Sequence, residues 1–238
     1  MMSQLEKWSN VSTRPSMEET LRETLRQAAL KVPLTATTAP IDIQKFMGKW
    51  YVMANIPMPL EVGASNSVEN YAWDEKRKAI DVLFEYIPKD GKTDAVKSKS
   101  EMHAKIVNSP VNSFWALNPK ILGIYLPLGL SYLVLQVADD GSYALIGVPD
   151  RSYMWILTRL KPTIKDGGKI SDNYLSPGGL SDISSSGESK SEPVCVAASR
   201  EIFELSPSME DTIMRNALKK AVELGYDTSK VLNVKWSV

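Results

Sequence analysis

The sequence predicts a mainly β chain of eight short strands, a sandwich or a barrel, and three observations carry that prediction. Gly48-Lys49-Trp50-Tyr51 stands at the head of one strand-like run, and Trp155-Ile156-Leu157-Thr158-Arg159 stands at the end of another. Between them lie enough short alternating segments, separated by turn signals, for eight strands, which means a sandwich or a barrel. A Trp at the floor of a closed barrel buries a large ring, and an Arg from the last strand can lie across it by cation–π contact worth about 0.5–2 kcal/mol. Gly48, Trp50 and Arg159 are the predicted structural closed end.

The elements follow in order. Residues 1–40 form an N-terminal extension. Within it Ser16-Met17-Glu18-Glu19 has capping-box spacing, and Met17, Leu21, Leu25, Ala28, Ala29 and Val32 recur on one helical face until Pro33. An amphipathic helix over 16–32 is expected. The barrel is expected over 41–163. Its strands are predicted at 51–56, 67–73, 79–87, 96–107, 112–117, 131–138, 143–148 and 152–160. In the third, Ile80, Val82, Phe84 and Tyr86 alternate with Asp81, Leu83 and Glu85, a period of two with one apolar face. From Lys165 to Pro193 the composition turns to Gly, Ser, Asp and Lys, which cannot bury enough apolar area to offset chain entropy, so 164–206 reads as a disordered insertion. Residues 207–238 should pack a second amphipathic helix, with Met209, Ile213, Met214, Ala217 and Leu224 on its apolar side, and a short final strand on the barrel.

Composition excludes several function classes. The 238 residues carry 28 basic and 28 acidic side chains, a formal net charge of zero, so nothing favours nucleic acid as a partner. Cys195 and His103 are the only cysteine and histidine. A disulfide is therefore excluded within the chain, and a zinc site or a Cys/His or Ser-His-Asp catalytic group could form only around those two residues, one in a polar linker and the other in a strand pattern. No metal, cofactor or catalytic residue is expected. The segment MMSQLEKWSN has no apolar core of secretory length, and a single cysteine fits a reducing compartment, so cytoplasmic residence is expected. Ile121 to Ala138 carries no charge over 18 residues, the lower limit for a membrane span, but Gly123, Pro127, Gly129 and Gln136 oppose one helix. It reads instead as an apolar loop, 121–130, followed by a strand.

At this point the residues resemble a known family. Gly48-Lys49-Trp50-Tyr51 looks like the strand-A signature G-x-W-Y of the lipocalins. The run from Gly147 through Pro149, Asp150 and Arg151 to Arg159 resembles the GxPDRxYxWILxR segment of bacterial outer-membrane lipocalins, plant temperature-induced lipocalins and, more loosely, apolipoprotein D. The similarity covers 44–163 and resumes at 208–236. Bacterial members carry a lipidated Cys near the amino terminus, which this sequence lacks, and the 16–32 helix and the 164–206 insertion are extra.

The resemblance implies an eight-stranded antiparallel up-and-down β-barrel closed by Trp50 and Arg159 that holds a small hydrophobic ligand, a fatty acid, lysophospholipid or similar lipid, and carries or scavenges it. Strand parity, carried across from the family, gives the inward candidates Glu69, Tyr71 and Trp73; Ile80, Val82, Phe84 and Tyr86; Ser100, Met102 and Ala104; Tyr132, Val134 and Gln136; Ala144 and Ile146; and Tyr153, Trp155 and Leu157. For the strand at 112–117 either Trp115 or Phe114 could point inward. A one-residue slip would turn any of these sets outward. Glu69 is the sharpest, because an acid in an apolar barrel is costly unless it is hydrogen-bonded, and a polar ligand head would supply the partner. The loops 57–65 and 121–130 should lie at the open end, where Met58, Leu60, Ile121, Leu122, Ile124, Tyr125, Leu126, Leu128 and Leu130 would form an apolar rim able to contact a membrane surface. Two other readings compete. A protein-interaction scaffold would use the 16–32 helix and the serines Ser184, Ser185, Ser186 and Ser189. An enzyme like the lipocalin-like xanthophyll de-epoxidases would need a cysteine-rich region, which one cysteine cannot provide. No pattern in the chain fixes ligand identity or oligomeric state.

Overall fold

The computed structural model describes residues 32–89, 98–164, 167–170 and 205–236, together with positions 17, 20, 21 and 24. Alternation of apolar and polar residues produces the strands, and closure of the sheet removes the edges such strands would otherwise expose. A short helix, α1 (Ile43–Phe46), N-capped by the Asp42 carboxylate, precedes the barrel. The barrel strands are β1 (Gly48–Ile56), β2 (Ser65–Asp74), β3 (Ala79–Ile87), β4 (Ser98–Ile106), β5 (Phe114–Ile121), β7 (Leu130–Val137), β8 (Tyr143–Gly147) and β9 (Met154–Thr158). All neighbours are antiparallel, and β9 pairs back onto β1 to close the ring.

Between β5 and β7 the apolar segment differs from the expected loop. β5 continues to Ile121, turns through Leu122-Gly123, both at positive φ, and returns as β6 (Ile124–Tyr125). The uncharged stretch is thus hairpin and strand. The segment expected to be disordered also differs where it is described: β10 (Gly168–Lys169) pairs with β11 (Leu232–Asn233), and Ile170 is buried. Residues 171–204 lie outside the described residues, as do most positions of the expected 16–32 helix. Positions 17, 20, 21 and 24 are helical, and Met17 and Leu21 of its apolar face are exposed.

The C-terminal helix, α2 (Pro207–Glu223), starts where the Ser206 side chain accepts from Met209 N–H. Ile213, Met214, Ala217, Leu218 and Ala221 are buried on the outer wall formed by β1, β7, β8 and β9, while Met209, placed on that face by periodicity, is exposed. After α2 the chain enters the barrel wall. β2 leaves β1 beyond Tyr51, β11 pairs with Ala54 and Asn55 of β1, and Trp236 donates its indole N–H to Val52 O at 3.1 Å. Two cores result, one inside the barrel and one between its outer wall and α2.

Candidate functional site: the barrel interior

The floor is built first. Gly48 adopts φ +98, the left-handed region that favours glycine, and a Cβ there would meet the Arg159 guanidinium at 3.5 Å. Arg159 lies 3.6 Å from the centre of the Trp50 ring and donates to Lys49 O, Lys45 O and Phe46 O, while Trp50 Nε1–H donates to Phe46 O at 2.8 Å. Burial lowers Arg159 to about 10, which leaves it charged at neutral pH. The predicted closed end is therefore present, and α1 completes it by placing Phe46 among the rings of Trp50, Tyr71 and Trp115, at centroid distances of 5.1, 5.3 and 5.1 Å.

On this floor stands a polar centre. Trp115 points inward, which settles the choice left open with Phe114, and stacks on Tyr132 at 5.0 Å. The Tyr71 hydroxyl bonds to the Glu69 carboxylate and lies 2.5 Å from the Tyr132 hydroxyl, so acid and phenols form one chain. Glu69 is only 7% exposed. Burial pushes its carboxyl up to about 8, the Glu61 charge adds to the rise, and a hydrogen bond from Tyr132 opposes it. Burial, then the Glu69 charge, raises the Tyr132 hydroxyl well above its usual range.

Sequence parity missed Glu61. It ends a one-turn 3-10 helix, Pro59–Glu61, in the open-end loop and is buried beside the β1 and β9 walls. Its carboxylate accepts from Trp155 Nε1–H at 3.0 Å, Met58 N–H at 2.8 Å and Asn55 Nδ2 at 3.5 Å. Burial raises its carboxyl, partly offset by the Met58 and Trp155 bonds. The readable signal was Met58-Pro59-Leu60-Glu61, an acid three residues after the start of a proline-initiated turn.

Val82, Phe84, Ala104, Tyr132, Val134 and Trp155 are buried in the interior as predicted, with Ile80, Ala144, Ile146 and Leu157. Tyr86, Met102 and Tyr153 pack against them half-buried, Tyr86 stacked on Phe84 at 4.9 Å. One inward assignment changes. A β-bulge between Val134 and Gln136 sets Gln136 opposite Leu145, which faces α2, and Val137 opposite Ala144, which faces inward. Val137 thus takes the interior place assigned to Gln136. Trp73 keeps inward parity but is half-buried, and its indole N–H reaches Glu75 in the adjoining turn at 2.5 Å.

At the open end Ile124 and Leu128 are exposed, and Leu122 is 98% exposed. Tyr125 instead folds onto the outer wall, stacked 3.5 Å from His103, and Leu126 is half-buried with its N–H on Pro119 O. His103 itself lies on the outer face, paired with Asp81 at 2.6 Å. No group of three or more His, Cys, Asp or Glu among the described residues is placed to hold a metal. An open groove of about 1150 Å³ runs outside the barrel, between its closed end and α2, lined by charges of both signs including Asp42, Lys45, Asp140 and Lys219. That lining suits an apolar ligand poorly.

The comparisons with known proteins agree with this architecture. A family model described as a lipocalin-like domain matches residues 41–169, more than half of the chain. The chain belongs to the lipocalin-like family. Temperature-induced lipocalin-1 of Arabidopsis thaliana is 27% identical over 133 residues, which are 50% of this lipocalin and 63% of the plant protein. The outer membrane lipoprotein Blc of Escherichia coli K12 is 28% identical over 125 residues, 52% of this chain and 65% of that one. The chain thus spans just under two thirds of the length of each relative. Insecticyanin from the tobacco hornworm Manduca sexta superposes with a TM-score of 0.51, at 17% identity over 87% of this chain and 86% of that one, a likeness of fold.

Proposed function

We propose that this lipocalin binds one single-chain amphiphile inside the barrel and carries or scavenges it without catalysing a reaction on it. The observation that carries the reading is the interior itself. Apolar and aromatic side chains from all eight strands line it, and its buried polar groups gather around Glu69, Tyr71 and Tyr132. Burying about ten methylenes at about 0.8 kcal/mol each would give roughly 8 kcal/mol, several of which are lost with ligand freedom, so micromolar affinity is expected. Native mass spectrometry of the purified protein, followed by extraction and identification of the bound molecule, tests this. A stoichiometric amphiphile supports it; an empty protein whose Trp fluorescence ignores every lipid offered refutes it.

We further propose that the open end meets a membrane surface while the ligand passes. Leu60, Val62, Leu122, Ile124 and Leu128 are exposed large apolar side chains in the two loops of that end. Leu122→Asp should abolish co-sedimentation with phosphatidylcholine vesicles, and equal sedimentation of parent and variant would refute the membrane contact.

A further inference from the structure

The barrel interior has a charge character that its apolar walls conceal. Along the eight strands every Lys, Arg and His is at an outward position. Lys49 pairs with Asn70, Lys99 with Glu85, Lys105 with Ala116 and His103 with Asp81, and Lys120 reaches Glu101 at 2.7 Å. Arg159 stands beneath the floor, turned to three backbone carbonyls. Among the described residues, the groups of the barrel interior that can carry charge are acids and phenols: Glu69 and Tyr71 from β2, Tyr132 from β7, and Glu61 from the open-end loop, with Tyr86 and Tyr153 further up and Asn55 and Trp155 as uncharged donors. The two carboxylates are near enough for the charge of Glu61 to raise the carboxyl of Glu69.

We propose that Glu69, together with Glu61, selects amphiphiles bearing a primary ammonium head over those bearing a carboxylate. The inference rests on the barrel as the ligand site and adds the class of head group. A carboxylate entering this space would be a third acid in a desolvated site with no compensating cation among the described residues, whereas an ammonium offers three donors and a positive charge to two carboxyl groups. Because the Glu69 carboxyl is pushed up to about 8, it is mostly protonated in the empty barrel at pH 7. An entering ammonium keeps its own protons and stabilises the carboxylate, so the Glu69 proton leaves to solvent. Binding should release about one proton per ligand.

The probes are decylamine, 1-decanol and decanoate, which share a chain and differ in the head, titrated below their micellar concentrations. With the parent protein at pH 7, decylamine should bind at least about tenfold tighter than decanoate, a difference of about 1.4 kcal/mol. Calorimetry in two buffers of different ionisation enthalpy should show the released proton. Glu69→Gln, which keeps the side chain's shape, should abolish that release and bring decylamine close to decanol, while decanol binding itself reports that the barrel is folded. Proton release by the parent protein supplies a second readout that needs no variant. Decanoate binding as tightly as decylamine, or decylamine binding without proton release, would overturn the charge selection while leaving the barrel as the ligand site. Failure of all three to bind would overturn both.

Discussion

The two faces of one barrel wall differ in what they bury. The outer face of β1, β7, β8 and β9 meets α2 through Met53, Leu133, Leu145, Ile156, Ala217 and Leu218, an apolar core in which the buried Tyr226 hydroxyl donates to Tyr153 O at 3.2 Å. The inner face of the same strands meets Glu69 and Glu61, two acids whose burial disfavours their charged forms. A face serving stability alone would hold hydrophobic residues of similar volume, since a buried polar group is tolerated only with partners and remains costly with them. The difference teaches that the outer core holds the chain folded while the inner face gives up stability to keep a polar centre among its aromatic rings.

The comparison sharpens first through pH. Glu69 has an ordinary value of 4.5 and a folded-state value of about 8, so the folded protein retains a proton that the unfolded chain releases. This contribution is full below about pH 4.5, declines as pH rises, and is lost beyond about pH 8. Urea denaturation should show stability falling by up to about 5 kcal/mol across that window, and Glu69→Gln should flatten the fall. On the outer face, Leu218 is 1% exposed, and Leu218→Ala should cost about 3 kcal/mol at every pH without altering ligand preference. A pH-dependent cost there would erase the distinction between the faces. At the floor, Arg159→Ala removes the ring contact and three carbonyl bonds and should cost about 2 kcal/mol by thermal denaturation.

Much of this architecture is legible in the sequence because strand parity is a local signal. Alternation alone bounds the strand from Ala79 to Ile87, and Trp50 with Arg159 marks the floor. The interior was legible where strands are regular and illegible where they are not. The bulge before Gln136 leaves no mark in Leu133-Val134-Leu135-Gln136-Val137, because a one-residue slip is a property of pairing with β8 rather than of composition. Glu61 is illegible for a different reason: it lies in a turn, where parity assigns no inside, and the nearby Met58 and Leu60 read as rim. The long motif at 147–159 was easy to see, but part of its work is structural. Gly147 leaves room for Tyr226, whose hydroxyl a Cβ would meet at 2.0 Å, and Arg151, at φ +61, donates to Leu224 O at the end of α2 and to Val32 O. Those contacts join segments far apart in the chain, which no local pattern encodes.

The most direct test of the inner face as the ligand site is a crystal structure of the protein with decylamine. The ligand should lie within the barrel with its nitrogen about 3 Å from the Glu69 carboxylate and its chain along Phe84 and Val82. Decylamine found in the groove beside α2, with the barrel closed around its own side chains, would contradict it.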